Sequence, residues 1–515
     1  MCLWMFASMA AAFAMPASAE NWKLSATASA TETYTSNANY SANSSAESDF
    51  VTTLSATLNL NVDGARLKLQ GYIGATELLY ARQSENSSFA PQVSLTGRLE
   101  AIEKFAYVEA QAFVTQTYIT PFGAQPVDLV NATQNRYTQQ TYAVSPYIKG
   151  VLGSSNVTYQ VRDDNYWSFA SNFGDSSTPV PNTYTNQLNA SMNSPTKPLG
   201  WTLEYNRSYY DNGLGGITSV GNTFTTQVAR LLLPYQVDPQ LEIAPRIGYE
   251  NNDFPLSSSK GVVYGIGGQW GPSDRTHLSG FLEHRFFGSS YSVQFTHRLP
   301  NSAINASFTR GISTYPQQAL FIPAGAAVST FLDSAFATRI PDPAERALAV
   351  AQFLAQTGLP PTLTSPLSVY APTVTLQQNG TVSLVLIGTR NSITFTIFRV
   401  QSEAISGAGS TLPPALQFGQ NYTQTGGGVV FNHRVSGYTG IVASANYNKA
   451  VNNADTVLSG QRTNNLYAAL GINSTLGPKT TCTAGVSYSR TEFPDSLNAG
   501  NTSSTNAYVG ISHTF

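Results

Sequence analysis

Residues 55–72 read SATLNLNVDGARLKLQGY, and the period of this stretch decides the fold. Ala56, Leu58, Leu60 and Val62 share one side, while Ser55, Thr57, Asn59 and Asn61 share the other. Asp63-Gly64 turns the chain, and on the return Leu67 and Leu69 oppose Lys68, Gln70 and Tyr72. Successive side chains of a strand point to opposite faces, so this is a hairpin with one oily and one hydrophilic face.

The same period runs the length of the chain. Leu241, Ile243, Pro245, Ile247 and Tyr249 oppose Glu242, Ala244, Arg246, Gly248 and Glu250, and Tyr291 to Leu299 repeats the pattern. The final residues, 506–515 (NAYVGISHTF), set Ala507, Val509, Ile511, His513 and Phe515 against Tyr508, Gly510, Ser512 and Thr514. Alternation alone fits a soluble sandwich as well as a membrane barrel, so composition has to choose. Only 11% of the 515 residues are charged, where a soluble domain carries about 25%. The chain is not a disordered one, because 42% is hydrophobic and 27 Tyr and 26 Phe are present. Beyond the N-terminus no apolar run approaches the roughly 20 residues of a spanning helix. Lipid offers no partner for an unpaired backbone group, which leaves a closed barrel.

The N-terminus reads as an export signal. Leu3 to Met15 is apolar and too short to span, and Pro16 and Ala17-Ser18-Ala19 follow with small residues suited to cleavage before Glu20, although no Lys or Arg precedes the apolar core. Residues 1–19 are therefore expected to be a signal peptide and residues 20–515 one barrel. Cys482 is then the sole cysteine of the mature chain, which excludes an intrachain disulfide.

The expected fold is all-β, a transmembrane antiparallel outer-membrane β-barrel of about 22 strands, within a range of about 18 to 24. Short inner turns are read at Asp63-Gly64, Glu103-Lys104, Gly150 to Asn156, Pro195 to Gly200 and Pro234 to Pro239, then at Gly271 to Arg275, Pro300 to Ser302, Gly388 to Asn391, Val435 to Gly437 and Gly477 to Lys479. Polar outer loops fall at 36–48, 173–182 and 213–222. Alternation fails over 315–372, an outer-loop insert. Within it 343–357 reads as a helix, with Asp342 as N-cap, Pro343 in the first turn, Glu345 at the capping-box position and Gly358 as the stop. This insert either caps the mouth or folds inward.

The titratable groups point away from catalysis. His277 and Glu283 have inward parity while His284 and His297 point to lipid, so no nucleophile, base and carboxylate are brought together. The glycine clusters 265–268 and 426–428 precede no helix and cannot cradle a phosphate. No catalytic, metal or cofactor site is expected. A net charge of -2 without a basic cluster gives no reason to expect nucleic acid. Arg66, Lys68, Arg230, Glu242, Arg246, Glu250 and Glu283 are the candidate lumen lining, because a cation facing lipid at midplane costs about 2–4 kcal/mol. Both signs interleave, so most of them read as a paired network bracing the wall, the alternative being a selectivity lining. Inward Tyr72 and Tyr508 could stack on sugar rings.

Several stretches resemble a family of outer-membrane proteins associated with the PEP-CTERM/exosortase system. They are Thr31 to Asn37 with Ser48 to Thr52, then Glu283 to Gly288, His297-Arg298, Ala344 to Arg346 with Gly358-Leu359-Pro360, and Gly388 to Asn391. More loosely, the chain is similar to β-barrel porins, and its terminal Phe515 resembles the signal read by barrel assembly machinery, although His513 departs from the usual aromatic or aliphatic residue. The resemblance implies a porin-like channel or export conduit for exopolysaccharide, with outer-membrane lipid, the assembly machinery and polysaccharide as partners. The alternative is a non-conducting barrel that organises the outer membrane. The family carries over no catalytic residues.

Overall fold

The computed structural model describes residues 21–171, 182–195, 197–213, 223–254, 257–317, 374–405, 421–453, 460–494 and 500–515. The expected signal peptide at 1–19 and the expected helix at 343–357 lie outside the described residues.

The strands are β1 (Asn21–Thr35), β2 (Asp49–Asp63), β3 (Leu67–Tyr80), β4 (Ser88–Ile102), β5 (Ala106–Tyr118), β6 (Arg136–Leu152), β7 (Val157–Ser171) and β8 (Thr183–Asn193). The wall continues with β9 (Thr202–Asp211), β10 (Thr223–Leu232), β11 (Tyr235–Asp238), β12 (Leu241–Phe254), β13 (Ser257–Ser273), β14 (Thr276–Arg285), β15 (Gly288–Leu299) and β16 (Ser302–Ser313). It ends with β17 (Thr375–Ile387), β18 (Asn391–Ala404), β19 (Tyr422–Arg434), β20 (Thr439–Asn452), β21 (Arg462–Gly477), β22 (Thr480–Glu492) and β23 (Thr502–Thr514).

Apart from β10 and β11, strands adjacent in sequence pair antiparallel, and β23 pairs with β1 from Thr27↔Thr514 to Thr35↔Asn506, which closes the ring. β10 and β11 both pair with β12, so the 23 segments make 22 staves. The turn read at Pro234 to Pro239 is corrected accordingly. Pro234 lies between two halves of one stave, where a residue with no N–H interrupts the ladder without reversing it. The reversal comes after Asp238, where the Asp238 carboxylate accepts the backbone N–H groups of Gln240 and Leu241.

The oily face is outside. Leu58, Ile73, Ile247, Ile266, Leu470 and Val509 are exposed on the outer wall, while Thr76, Glu250, Glu283, Ser487 and Asn506 of the opposite parity are buried within. Aromatic rings gather towards the outer end, with Trp167 5.6 Å from Tyr184 and Tyr184 6.3 Å from Tyr209. An apolar band flanked by rings around a polar interior is the pattern of a membrane barrel. Phe515 sits at the seam, its backbone N–H donating to the Ala26 carbonyl at 2.8 Å and its ring 4.9 Å from His513.

One glycine on this wall is obligatory. Gly71 on β3 has φ +141°, and a Cβ there would lie 1.9 Å from the Ser94 carbonyl oxygen of β4. Gly71→Ala must therefore push two hydrogen-bonded strands apart. It is expected to cost at least ~2 kcal/mol, read as a lower urea midpoint for unfolding from lipid vesicles; an unchanged midpoint would show that the ladder absorbs the methyl group.

Candidate functional site

Eight of the inward-facing charges between β5 and β14 form one belt, joined by hydrogen bonds and by a 4.0 Å contact between Arg285 and Glu283. Arg162 on β7 donates to Glu109 on β5 (2.7 Å) and to Asp164 (2.6 Å). Asn189 on β8 donates to Asp164 (3.1 Å), Asn206 on β9 to Asn189 (2.7 Å), and Arg230 on β10 to Asn206 (3.2 Å). Arg230 also grips both oxygens of Glu283 on β14 (2.7 and 3.0 Å), and Arg246 on β12 reaches the same carboxylate at 3.4 Å. Arg285 then binds Glu250 at 2.9 Å, and the Glu250 carboxylate accepts the Phe286 backbone N–H. Four carboxylates and four guanidiniums alternate from β5 to β14, and the two central carboxylates are almost fully covered. At the β5 end Arg98 lies 4.7 Å from the centre of the Tyr107 ring, which stacks on Tyr147 at 4.9 Å. The opposite wall is different. From β16 to β23 the inward positions of the described strands are Ser, Thr, Asn, Gln, Tyr and small or apolar residues, with no charge above Arg434 at the inner rim.

The lining residues read from the sequence divide three ways. Arg230, Arg246, Glu250 and Glu283 belong to the belt. Glu242 is inward on β12 but has no ion pair among the described residues. Lys68 faces the lumen near the inner rim, 3.3 Å from Asp63, with its side chain 68% exposed. Arg66 lies in the turn before β3 rather than on the wall, 3.9 Å from Glu103 of the next turn. Arg98, Glu109, Arg162, Asp164 and Arg285 belong with the belt and were not singled out as lining. His277 and Glu283 stand six positions apart along β14, and the Glu283 carboxylate is occupied by arginines.

Towards the outer mouth the lumen is crossed by a segment that sequence periodicity did not single out. Residues 119–135, between β5 and β6, fold inward as a strap. Its base is closed by Ile119 N–H donating to the Asn135 carbonyl (2.9 Å). Arg136 stiffens it by donating to the carbonyls of Pro126 (2.8 Å), Asp128 (3.2 Å), Leu129 (3.3 Å) and Asn131 (3.3 Å). Asp128 accepts from Asn506 (2.7 Å) on β23 and from the Ser487 hydroxyl on β22. Asn131, fully buried, donates to Thr35 (2.9 Å) on β1 and accepts from Asn506 (2.9 Å). Asn465 on β21 donates to Gln125 (3.0 Å). The tip residue Phe122 clusters with Val400, Tyr422 and Ala450 on β18, β19 and β20. From β5 round to β19 is nine staves of 22, so the strap reaches almost the far wall.

The root of the 315–372 insert enters from another quarter. Thr314, just past β16, hydrogen-bonds Thr185 on β8 (3.2 Å), and the Tyr315 hydroxyl meets that of Tyr137 on β6. Val374, just before β17, clusters with Tyr210, Phe224 and Phe254. Both ends of the insert are thus fixed inside the mouth; residues 318–373 lie outside the described ones. Between this root and the belt is a cleft of about 240 Å³ lined by Gln187, Asn189, Asn206, Arg230, Arg285 and Gln317 among others.

No family model matches the chain, and no curated protein does. Among solved structures it is similar to the siderophore receptor PirA of Pseudomonas aeruginosa, at 9% identity and a TM-score of 0.41, over 96% of this chain and 80% of that one. It is also similar to the FrpB iron transporter of Neisseria meningitidis, at 10% identity and a TM-score of 0.47, over 95% and 81%. A loop-deletion mutant of OmpT, an outer membrane protein of Vibrio cholerae, aligns at 7% identity and a TM-score of 0.32, over 97% and 100%.

Proposed function

We propose that the protein is an outer-membrane conduit for a hydrophilic solute or polymer, held narrow at its outer mouth by the strap. The observation that carries this reading is the strap itself, a side-chain-pinned segment laid across a polar lumen. A barrel needing only to brace the membrane gains little from a separate crossing of its mouth. Below the strap, Lys68, Arg98 and Glu109 border an inner vestibule of about 580 Å³ that also includes Lys23, Asn61 and Gln70. The division of the lumen into a charged belt and a neutral hydroxyl-and-amide wall suits a polyhydroxylated cargo: hydroxyls slide along the neutral side while the belt fixes the field. Export of exopolysaccharide in a PEP-CTERM/exosortase setting is the cargo that this reading favours, with assembly directed through the Phe515 strand.

Purified barrel in planar bilayers should give discrete current steps, and a soluble oligosaccharide added on one side should interrupt them. A folded barrel silent in this assay, even after removal of residues 121–134, would overturn the conduit in favour of a non-conducting barrel that organises the membrane. His277→Ala should leave the current unchanged; loss of an enzymatic activity in that variant would point to catalysis instead.

A further inference from the structure

The outer wall carries a polar feature that the lumen does not explain. Arg399 on β18, Thr425 on β19 and Lys449 on β20 stand in one register row, Arg399↔Thr425↔Lys449, and alternation turns all three outward. Neither Arg399 nor Lys449 has an ion pair or hydrogen bond among the described residues. Two other outward cations on alternate staves are engaged: Arg490 pairs with Glu492 at 2.6 Å, and Arg310 donates to the Ser289 carbonyl. Arg207 on β9 and Lys260 on β13 also face outward in one row, Arg207↔Gln227↔Asn251↔Lys260, but stand three staves apart with two amides between them, whereas Arg399 and Lys449 flank a single hydroxyl-bearing stave.

What lies beneath the pair is equally specific. The next outward row is Ile397↔Gly427↔Tyr447, and the one after it Phe395↔Val429↔Ala445. Ile397 is 61% and Tyr447 46% exposed, and Gly427 between them offers no side chain. This makes an apolar notch one residue long, walled by Ile397 and Tyr447 and closed below by Val429 on the same stave. The row belongs to the outer half, because Arg399 lies past the midpoint of β18 towards the long connection before β19, and Thr425 and Lys449 each stand three residues from the ends of β19 and β20 on that side.

We infer that Arg399, Thr425 and Lys449 bind the phosphate of a phosphorylated lipid in the outer leaflet, with the start of one acyl chain packed over the Gly427 notch. A single lysine or arginine at this depth needs only to snorkel. Two unpaired cations flanking a hydroxyl, above an apolar notch, match both ends of an amphiphile: the guanidinium forks onto phosphate oxygens, the ammonium adds a point charge, and the hydroxyl donates. The inference rests on the outer-membrane placement of the barrel.

The test uses the full barrel in a zwitterionic detergent, titrated with bis-phosphorylated lipid A, its dephosphorylated counterpart or inorganic phosphate, with adducts counted by native mass spectrometry. The phosphorylated lipid should form a one-to-one adduct that weakens at least tenfold in R399Q/K449Q and also weakens in Gly427→Leu. Equal binding of the dephosphorylated lipid, an adduct unchanged in R399Q/K449Q, or inorganic phosphate binding as well as the lipid would each overturn it. The heat-modifiable band on gels shows whether each variant is folded. Should R399Q/K449Q fail that check, R399Q and K449Q singly must each show a partial loss, and unchanged adducts in both overturn the inference. A chain that is soluble and monomeric without detergent would sink the membrane placement itself, an outcome distinct from any of these.

Discussion

Glu283→Gln should be the most damaging conservative substitution in the lumen. Its carboxylate is the shared partner of Arg230 and Arg246, whose side chains are only 10% and 12% exposed. Removing one member of a covered ion pair leaves the other desolvated and unpaired, which costs about 3–5 kcal/mol. Two arginines are stranded here, which favours the upper end, while water reaching the lumen favours the lower. The second effect is electrical. With Arg98 beside Glu109 the belt holds five guanidiniums to four carboxylates, and Glu283→Gln removes one of those negative charges and so adds to its positive excess. A lower urea midpoint should therefore be joined by a reversal potential shifted towards anion selectivity. Glu242→Gln, on the same wall but without an ion-pair partner, should stay within about 0.5 kcal/mol. If the two substitutions prove equally mild, the belt is not what braces this half of the barrel.

The difference between Glu242 and Glu283 also marks what the sequence can and cannot convey. Parity puts both inward, because alternation is a local property and each shares the face opposite a run of oily residues. Partnership is not local. Arg230 and Glu283 are 53 positions apart and meet because three staves of twisted wall bring β10 opposite β14. The same parity was available for Arg98, Glu109 and Arg162, each beside an outward Leu, Val or Ala, so the β5 end of the belt was readable in part; Asp164, between Asp163 and Asn165, carried no such contrast. The strap was not. Residues 119–135 (ITPFGAQPVDLVNATQN) have neither a strand nor a helix period, and Pro121, Gly123 and Pro126 make them resemble any surface loop. Their inward course depends on Asp128 and Asn131 finding acceptors and donors on β1, β22 and β23, which no local pattern announces. The ends of the long insert at Thr314, Tyr315 and Val374 do turn into the mouth, but nothing in their own sequence says so.

The strap leads to the other large effect. Asp128 is its principal pin, a carboxylate taking hydrogen bonds from Asn506 and Ser487, with the Tyr467 hydroxyl farther off at 3.4 Å. Hydrogen bonds to a charged group contribute about 1.5–3 kcal/mol each. Asp128→Ala thus removes on the order of 3 kcal/mol from the pinned state, enough to raise the unpinned population roughly 100-fold at about 1.4 kcal/mol per factor of ten. Asn131→Ala should add to this, because Asn131 holds the next stretch of strap to Thr35 and Asn506. Conductance is expected to climb in order: wild type, Asp128→Ala, the double variant, and then a barrel lacking residues 121–134, which sets the ceiling. Tyr467→Phe, losing only the longest bond, should stay near wild type. Stability should respond the other way round from the Glu283 case. The strap braces the mouth and not the wall, so unpinned barrels should keep their urea midpoint to within ~1 kcal/mol while passing more current. The order is what discriminates. If Asp128→Ala and the double variant remain folded but conduct no more than wild type while the deletion does, then the Phe122 contacts with Val400, Tyr422 and Ala450 hold the strap, and its polar pins only set its path. If none of the three raises the current, the narrowest point of the lumen lies elsewhere, and the strap does not control passage.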